Sequence, residues 1–246
     1  MTNQASVQSI GARVAYDAWH SSQEVDSEVD TPWHHFIEKH ISPAEDLAGR
    51  SVLEIGCGRG GFSCWLASQH PAPREVVAAD FSEAALEMGR AFATKQRLRN
   101  ITWKVADIQQ IPFDSETFDT VISCETIEHV PNPRIAVHEL ARVLRKGGRL
   151  FLTTPNYFGP FGPYRIYRRV IGRRFTEVGQ PINKFVMLPI TRRWVKSAGL
   201  RIQVFDSDEL CVPFPGGPPL TIRPRQGLRF IQKWFGLQSG IVAKKY

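Results

Sequence analysis

One stretch limits the fold of this chain more than any other: Val52-Leu53-Glu54-Ile55-Gly56-Cys57-Gly58-Arg59-Gly60-Gly61. A short apolar run ends in alternating glycines, and the chain continues to Gln69 before Pro71 stops it. The reading that fits is a buried parallel strand, a sharp turn and a helix. Glycine lets a backbone turn tightly and approach a ligand closely, and the helix behind it presents unpaired N–H groups. The same pattern also serves as a plain structural turn, so its meaning depends on context.

The context is a strand–helix alternation. Ser51–Ile55, Glu75–Ala79, Ile101–Ala106, Phe118–Ser123 and Arg149–Thr153 read as strands. Ser82 caps a helix from Glu83 to about Lys95, with Ala84, Ala85, Met88 and Phe92 at helical spacing. Arg134–Leu144 reads as a helix with Gly147 or Gly148 as its left-handed cap. Such alternation implies a parallel sheet covered on both faces, with right-handed crossovers. Ahead of it, Thr31 as N-cap and Pro32 in the first turn predict a helix to about His40. Beyond it, Thr191–Ala198 reads as a helix closed by Gly199, Arg201–Phe205 as a sixth strand and Gly240–Lys244 as a seventh. The expected organisation is one domain over residues 1–246, with N-terminal lid helices at 1–45, a ligand-binding core at 46–155, a basic aromatic insertion at 156–190 and the rest of the sheet at 191–246.

Three acids stand near the ends of three successive strands. Asp80 lies 22 positions after Gly58 and can accept hydrogen bonds from two ribose hydroxyls. Glu54 separates two ligand classes. A nicotinamide dinucleotide puts its pyrophosphate at the glycine turn, where a nearby acid repels it. A ligand with an ammonium and a sulfonium is attracted instead. Asp107 can accept from an adenine amino group while Ile108 packs on the ring; capping a turn is the alternative role. Open α/β sheets bind ligands along this edge. No Tyr-xxx-Lys dyad for hydride chemistry is present. A binding module that has lost catalysis is disfavoured by the intact glycine turn and Asp80.

Further stretches extend the pattern: Asp80-Phe81-Ser82, Ala106-Asp107, Phe118-Asp119-Thr120-Val121-Ile122-Ser123, Glu128-His129-Val130 and Leu144-Arg145-Lys146-Gly147-Gly148-Arg149-Leu150. Together with Val52–Gly60 they resemble the class I S-adenosylmethionine-dependent methyltransferases over roughly residues 50–155. Within that superfamily the resemblance is to enzymes methylating quinone precursors and to related small-molecule O-methyltransferases. It implies an α/β, Rossmann-like, seven-stranded and mostly parallel sheet with helices on both faces and the last strand antiparallel. It implies S-adenosylmethionine as cofactor, lined by Glu54, Gly56, Cys57, Gly58, Gly60, Asp80, Phe81, Asp107 and Ile108, with Ser123 or Cys124 at the mouth of the fourth strand. Tyr16, Trp19 and His20 resemble a lid helix closing over the cofactor; core packing is the alternative.

Cys124-Glu125-Thr126-Ile127-Glu128-His129 is similar to an ExxEH arrangement in the ubiquinone-pathway O-methyltransferases, where it has been linked to a divalent metal. On a helix, Glu125 and His129 would share a face. Glu125, Glu128 and His129 are therefore candidate metal ligands, and His129 is a candidate general base for a phenol or hydroxyl. Packing and capping is the competing role. A sulfonium is already activated, so the expected in-line methyl transfer needs mainly orientation and exclusion of water. Expected acceptors are a phenol, a glycan hydroxyl or a natural-product scaffold, with nitrogen and carbon acceptors as alternatives.

The chain carries 31 Lys and Arg against 24 Asp and Glu, a net charge of +7. Much of the excess lies between Arg165 and Arg193, where Arg165, Arg168, Arg169, Arg173, Arg174, Lys184, Arg192 and Arg193 meet one acid, Glu177. Residues 157–174 interleave aromatics with arginine, which can stack bases, sit at a membrane interface or clamp an acidic substrate. Tyr164–Ile171 fits a basic amphipathic helix for peripheral membrane docking; a solvated face over the substrate is the alternative. No nucleic-acid module accompanies the charge, and none is expected as partner. Cys57, Cys64, Cys124 and Cys211 have no CxxC spacing and read as free thiols. No apolar run is long enough to cross a bilayer and Met1–Ile10 lacks a signal-peptide layout, so a cytoplasmic location is expected.

Overall fold

The computed structural model describes residues 13–22, 31–172, 182–208, 210–213, 220–222 and 229–246. The acidic stretch from Glu24 to Asp30, and Arg173, Arg174 and Glu177, lie outside the described residues.

Residues 13–21 are helical (α1). Then follow α2 (Pro32–His40), β1 (Ser51–Ile55), α3 (Gly61–Ala67), β2 (Glu75–Asp80), α4 (Glu83–Lys95), β3 (Ile101–Val105) and β4 (Phe118–Ser123). The chain continues through α5 (Pro133–Val143), β5 (Leu144–Pro155), α6 (Phe161–Val170), α7 (Leu188–Ser197), β6 (Leu200–Asp208), β7 (Leu210–Val212), β8 (Leu220–Ile222), α8 (Arg229–Phe235) and β9 (Gln238–Lys245). Seven strands form one sheet in the order β3-β2-β1-β4-β5-β9-β6. The first five pair in parallel, and β9 runs antiparallel to both β5 and β6. This is the expected seven-stranded α/β sheet with its last strand reversed.

Every residue of β1 is buried, as a strand covered on both faces requires. Alternate residues divide between two cores. Leu53 and Ile55 join Val137 and Leu140 of α5 and Val195 of α7. Val52 joins Ile37 of α2 and Phe62 and Leu66 of α3. The caps also follow expectation: Thr31 Oγ1 accepts from His34 N at 3.4 Å, and Ser82 Oγ from Ala85 N at 3.2 Å.

The end of α5 differs from the expected glycine cap. The helix stops at Val143, Leu144 is extended and pairs with Phe118, and Gly147 (φ 81°) bends β5 well past the helix. The last carbonyls of α5 need no glycine. Glu116 N and Thr117 N donate to the Arg142 and Val143 carbonyls, each at 2.9 Å, and Lys245 Nζ donates to the Ala141 carbonyl at 2.9 Å.

The region between β6 and β9 holds the β7–β8 hairpin and α8, neither of them anticipated. Wholly buried Asn156 ties the end of β5 to α8 and to the start of α7. Its Nδ2 donates to the Trp234 and Gly236 carbonyls, and its Oδ1 accepts from Phe158 N and Leu188 N. The end of β5 thereby fixes the start of α7 and the turn ahead of α6. All four cysteines are free. Among the described residues, no helix is long and apolar enough to cross a membrane.

Candidate active site

The glycine turn is built as its composition demands. Gly56, Gly58 and Gly60 have φ of 79°, 51° and 75°, a region that glycine enters without steric penalty. A Cβ on Gly56 would overlap the Thr126 side chain, and one on Gly60 would overlap the Trp103 indole. Gly56 N and Cys57 N both donate to the Ala79 carbonyl, at 2.8 and 3.0 Å, locking the turn to β2. Gly58 N donates to Asp80 Oδ2 at 2.7 Å and Ser82 N to Asp80 Oδ1 at 2.9 Å. Asp80 is thus aimed by the backbone, and each oxygen keeps a lone pair for a ligand.

A cavity of about 710 Å³ opens at this end of the sheet. Glu54, Gly56, Cys57, Gly58, Gly60, Asp80, Phe81, Asp107, Ile108 and Cys124 line it, with Tyr16 and Trp19 from α1. Ser123 does not reach the wall: it is wholly buried beside the cavity, so of the two residues at the β4 mouth only Cys124 faces it. Asp107 both lines the cavity and caps a turn, its Oδ1 accepting from Gln109 N at 2.8 Å.

Glu54 is a strongly perturbed carboxyl on the wall. Burial pushes its carboxyl up to about 8, with the Ser63 hydroxyl opposing and the Asp80 charge adding. Its hydrogen-bond partner is the Ser63 hydroxyl, and among the described residues no cation pairs with it. A buried carboxylate in that state fits a cationic ligand. Burial raises the Cys57 and Cys124 thiols, which keeps them protonated and inert.

Helix α1 is tied across the cavity. Asp17 Oδ1 accepts from Ser82 Oγ at 2.6 Å and Ala84 N at 3.3 Å, and Tyr16 OH donates to the His129 carbonyl at 3.4 Å. Wall residues that sequence reasoning missed come from α2 and α3 and from the loops after β3 and β4, among them Gln109, Gln110, Thr126 and Val130. Trp33 and His34 line the cavity, and the His34 ring stacks on Phe62 at 4.5 Å and 8°. The cap at Thr31 marks the helix but carries no signal of the face it turns inward.

The segment after β4 departs from the helical reading. Only Ile127–His129 forms a turn, a single 3₁₀ one, and Glu125 precedes it at φ 44°. Glu125 and His129 therefore do not share a helix face. Glu128 is wholly buried, its Oε2 accepting from Thr154 Oγ1 at 2.9 Å. Glu125, Glu128 and His129 do not gather as metal ligands: among the described residues, no three His, Cys, Asp or Glu side chains are placed to hold a metal ion. His129 Nδ1 lies 2.7 Å from the Ile182 carbonyl, and Nε2 lies 3.4 Å from Glu128 Oε1. A carbonyl only accepts, so Nδ1 carries the proton. Burial holds the imidazole below its usual range, the Ile182 bond opposes, and the Arg165 charge adds.

Residues 53–152 match the sequence profile of a methyltransferase domain. A ubiquinone biosynthesis O-methyltransferase of Coxiella burnetii is 36% identical over 169 residues, covering 67% of this chain and 69% of that protein. A probable chloroplastic tocopherol O-methyltransferase of Oryza sativa subsp. japonica is 38% identical over 106 residues, covering 43% and 29%. The crystal structure of a SAM-dependent methyltransferase from Aquifex aeolicus superposes with a TM-score of 0.62 at 14% identity, covering 94% of this chain and 98% of that one. With the glycine turn, the carboxylates at the strand ends and the reversed last strand, these similarities show that the chain belongs to the class I S-adenosylmethionine-dependent methyltransferases, in their O-methyltransferase branch.

Proposed function

We propose that this enzyme methylates an oxygen of a small acceptor, a phenol or hydroxyl on a natural product, quinone precursor or lipid- or glycan-linked scaffold, with His129 as general base. The observation that carries this reading is His129 itself: a neutral imidazole with its proton on Nδ1 lines the same cavity as Glu54 and Asp80. When bound, S-adenosylmethionine supplies a methyl group activated by its sulfonium. Glu54 would hold its ammonium, Asp80 its ribose hydroxyls and Asp107 its adenine amino group, with Ile108 on the ring. Cys57, Phe81, Tyr16 and Trp19 exclude water. His129 Nε2 accepts the acceptor's proton, and the imidazolium so formed faces Glu128. The test is a panel of phenols, amines and carbon acids with labelled S-adenosylmethionine. Methylation of phenols that falls at least about a hundredfold in His129→Gln supports the reading, and activity confined to amines or carbon acids overturns it.

The same reading includes peripheral docking on an anionic membrane through 157–174, with the enzyme otherwise cytoplasmic. Ile166, Tyr167 and Val170 of α6 are exposed beside Arg169, and α8 exposes Phe230 and Ile231. Phe158, just ahead of α6, stacks on Phe235 at the end of α8 at 5.1 Å. Sedimentation with phosphatidylglycerol vesicles, lost in Val170→Glu, supports docking; recovery in the supernatant with anionic and neutral vesicles alike overturns it.

A further inference from the structure

The basic stretch after β5 reads in sequence as one electrostatic feature, yet one of its arginines works in the opposite direction. Arg165 is turned inward. Its Nη2 donates to the Asn183 carbonyl at 2.6 Å and its Nη1 to the Lys184 carbonyl at 3.2 Å. Its guanidinium lies 4.5 Å over the Tyr157 ring and 5.6 Å from the Phe185 ring. A solvated basic face, a lipid headgroup or an acidic substrate has no use for a guanidinium spent on two consecutive carbonyls.

The chain that Arg165 grips leads directly to the imidazole. Lys184 N donates to the Glu128 carbonyl at 2.7 Å, and Tyr157 N donates to the Val186 carbonyl at 3.0 Å. Residues 182–186 are therefore laid along the 3₁₀ turn, held at one side by that turn and at the other by Arg165 and Tyr157. Ile182, next to the gripped pair, offers its carbonyl to His129 Nδ1 at 2.7 Å. That bond selects the tautomer whose Nε2 keeps a lone pair. A freely turning imidazole would divide between tautomers and orientations, and only part of that population would present a base.

We propose that Arg165 is a positioning residue for His129: its two-carbonyl grip fixes residues 182–184 so that the Ile182 carbonyl holds the imidazole as the Nδ1–H tautomer. The planar fork suits two adjacent carbonyls, and a lysine ammonium does not reproduce it. The proposal rests on the reading of His129 as base only for its catalytic consequence. The structural part stands on the ring alone.

The test uses the full chain with Arg165→Met, Arg165→Lys and His129→Gln. Nitrogen-15 spectra of labelled histidine report the tautomer, with His129 assigned by its disappearance in His129→Gln. Calorimetry with S-adenosylhomocysteine reports the cofactor site, and methylation of a catechol probe reports kcat. In Arg165→Met the Nδ1–H signature of His129 gives way to a tautomer mixture. kcat falls about tenfold, while S-adenosylhomocysteine affinity and the KM for S-adenosylmethionine stay within about twofold. Arg165→Lys recovers part of kcat, and it decides the matter by the same readouts if Arg165→Met fails to fold. An unchanged tautomer together with unchanged kcat overturns the proposal. A shifted tautomer with wild-type kcat in His129→Gln upholds the positioning role and sinks the base instead.

Discussion

The Gly58 N–H donates to Asp80 Oδ2 at 2.7 Å, so the carboxylate that faces the cavity also shapes the turn beneath it. The other oxygen accepts from Ser82 N at 2.9 Å, at the start of α4. Removing this side chain therefore acts twice. Asp80→Ala leaves two N–H groups without their acceptor, at a cost of about 1–3 kcal/mol in stability. It also removes the acceptor proposed for the ribose hydroxyls, and S-adenosylhomocysteine affinity should drop about a hundredfold. Calorimetry and thermal unfolding measure the two separately. Asp80→Asn should also fail, because its amide nitrogen must face an N–H donor. Wild-type affinity in either variant would remove Asp80 from the site.

The role proposed for Glu54 would make cofactor binding pH-dependent. Burial raises its carboxyl from 4.5 to about 8 in the free protein, so it is protonated near neutrality. A ligand ammonium favours the ionised form, and binding must then release a proton. S-adenosylhomocysteine affinity should rise as pH goes from 6 towards 8 and level off above. Calorimetry in two buffers of different ionisation enthalpy counts the proton. The same shift has a stability consequence: between 4.5 and about 8 the folded state binds more protons than the unfolded chain, so stability falls as pH rises through that window. Glu54→Gln should abolish both slopes. Proton uptake on binding would contradict the assignment.

How far these features were legible follows from where their information lies. Thr31, Ser82 and the glycine turn declare themselves locally, because a cap or a positive φ needs a particular residue at a particular place. The strand ends at Glu54, Asp80 and Asp107 follow from the same local signals plus the edge rule for open sheets. The end of α5 is not legible because its carbonyls are satisfied from afar, by Glu116, Thr117 and Lys245, and such partners leave no mark beside the helix. Glu125 reads as a helical neighbour of His129 because spacing alone does not reveal a φ of 44°. Trp33, His34 and Phe62 entered the cavity wall unannounced, since an aromatic on an amphipathic helix looks the same whether it meets core or ligand. Arg165 was hidden among other arginines that differ from it only in where tertiary structure points them.

The Trp103 indole is wedged between the glycine turn and α4. A Cβ on Gly89 would overlap the indole and lie 3.2 Å from the Arg59 carbonyl. Gly89→Ala should therefore destabilise the fold despite alanine's higher helix propensity, by about 1–3 kcal/mol. Trp103→Leu removes the obstacle at the cost of buried area. In the double variant the two penalties should not add, and urea unfolding of the four proteins gives the coupling. Additive penalties would mean the indole moves aside freely.

Two of the tethers of helix α1, both on the start of α4, are of opposite worth. Asp17 Oδ1 accepts from Ser82 Oγ at 2.6 Å and from Ala84 N at 3.3 Å, at the positive end of α4. Arg13 pairs with Glu83 at 3.2 Å, with side chains 41% and 49% exposed. An exposed ion pair contributes little, whereas a carboxylate satisfying a helix N-terminus contributes about 1–2 kcal/mol. Asp17→Ala should speed amide exchange across residues 13–21 and weaken S-adenosylhomocysteine binding about tenfold, because binding must then order the helix itself. Arg13→Ala should do neither. If both variants bind and exchange like the wild type, α1 is held by the Tyr16 hydroxyl on the His129 carbonyl and by the packing of Trp19 and His20, and Tyr16 and Trp19 line the cavity as fixed wall instead of a closing lid.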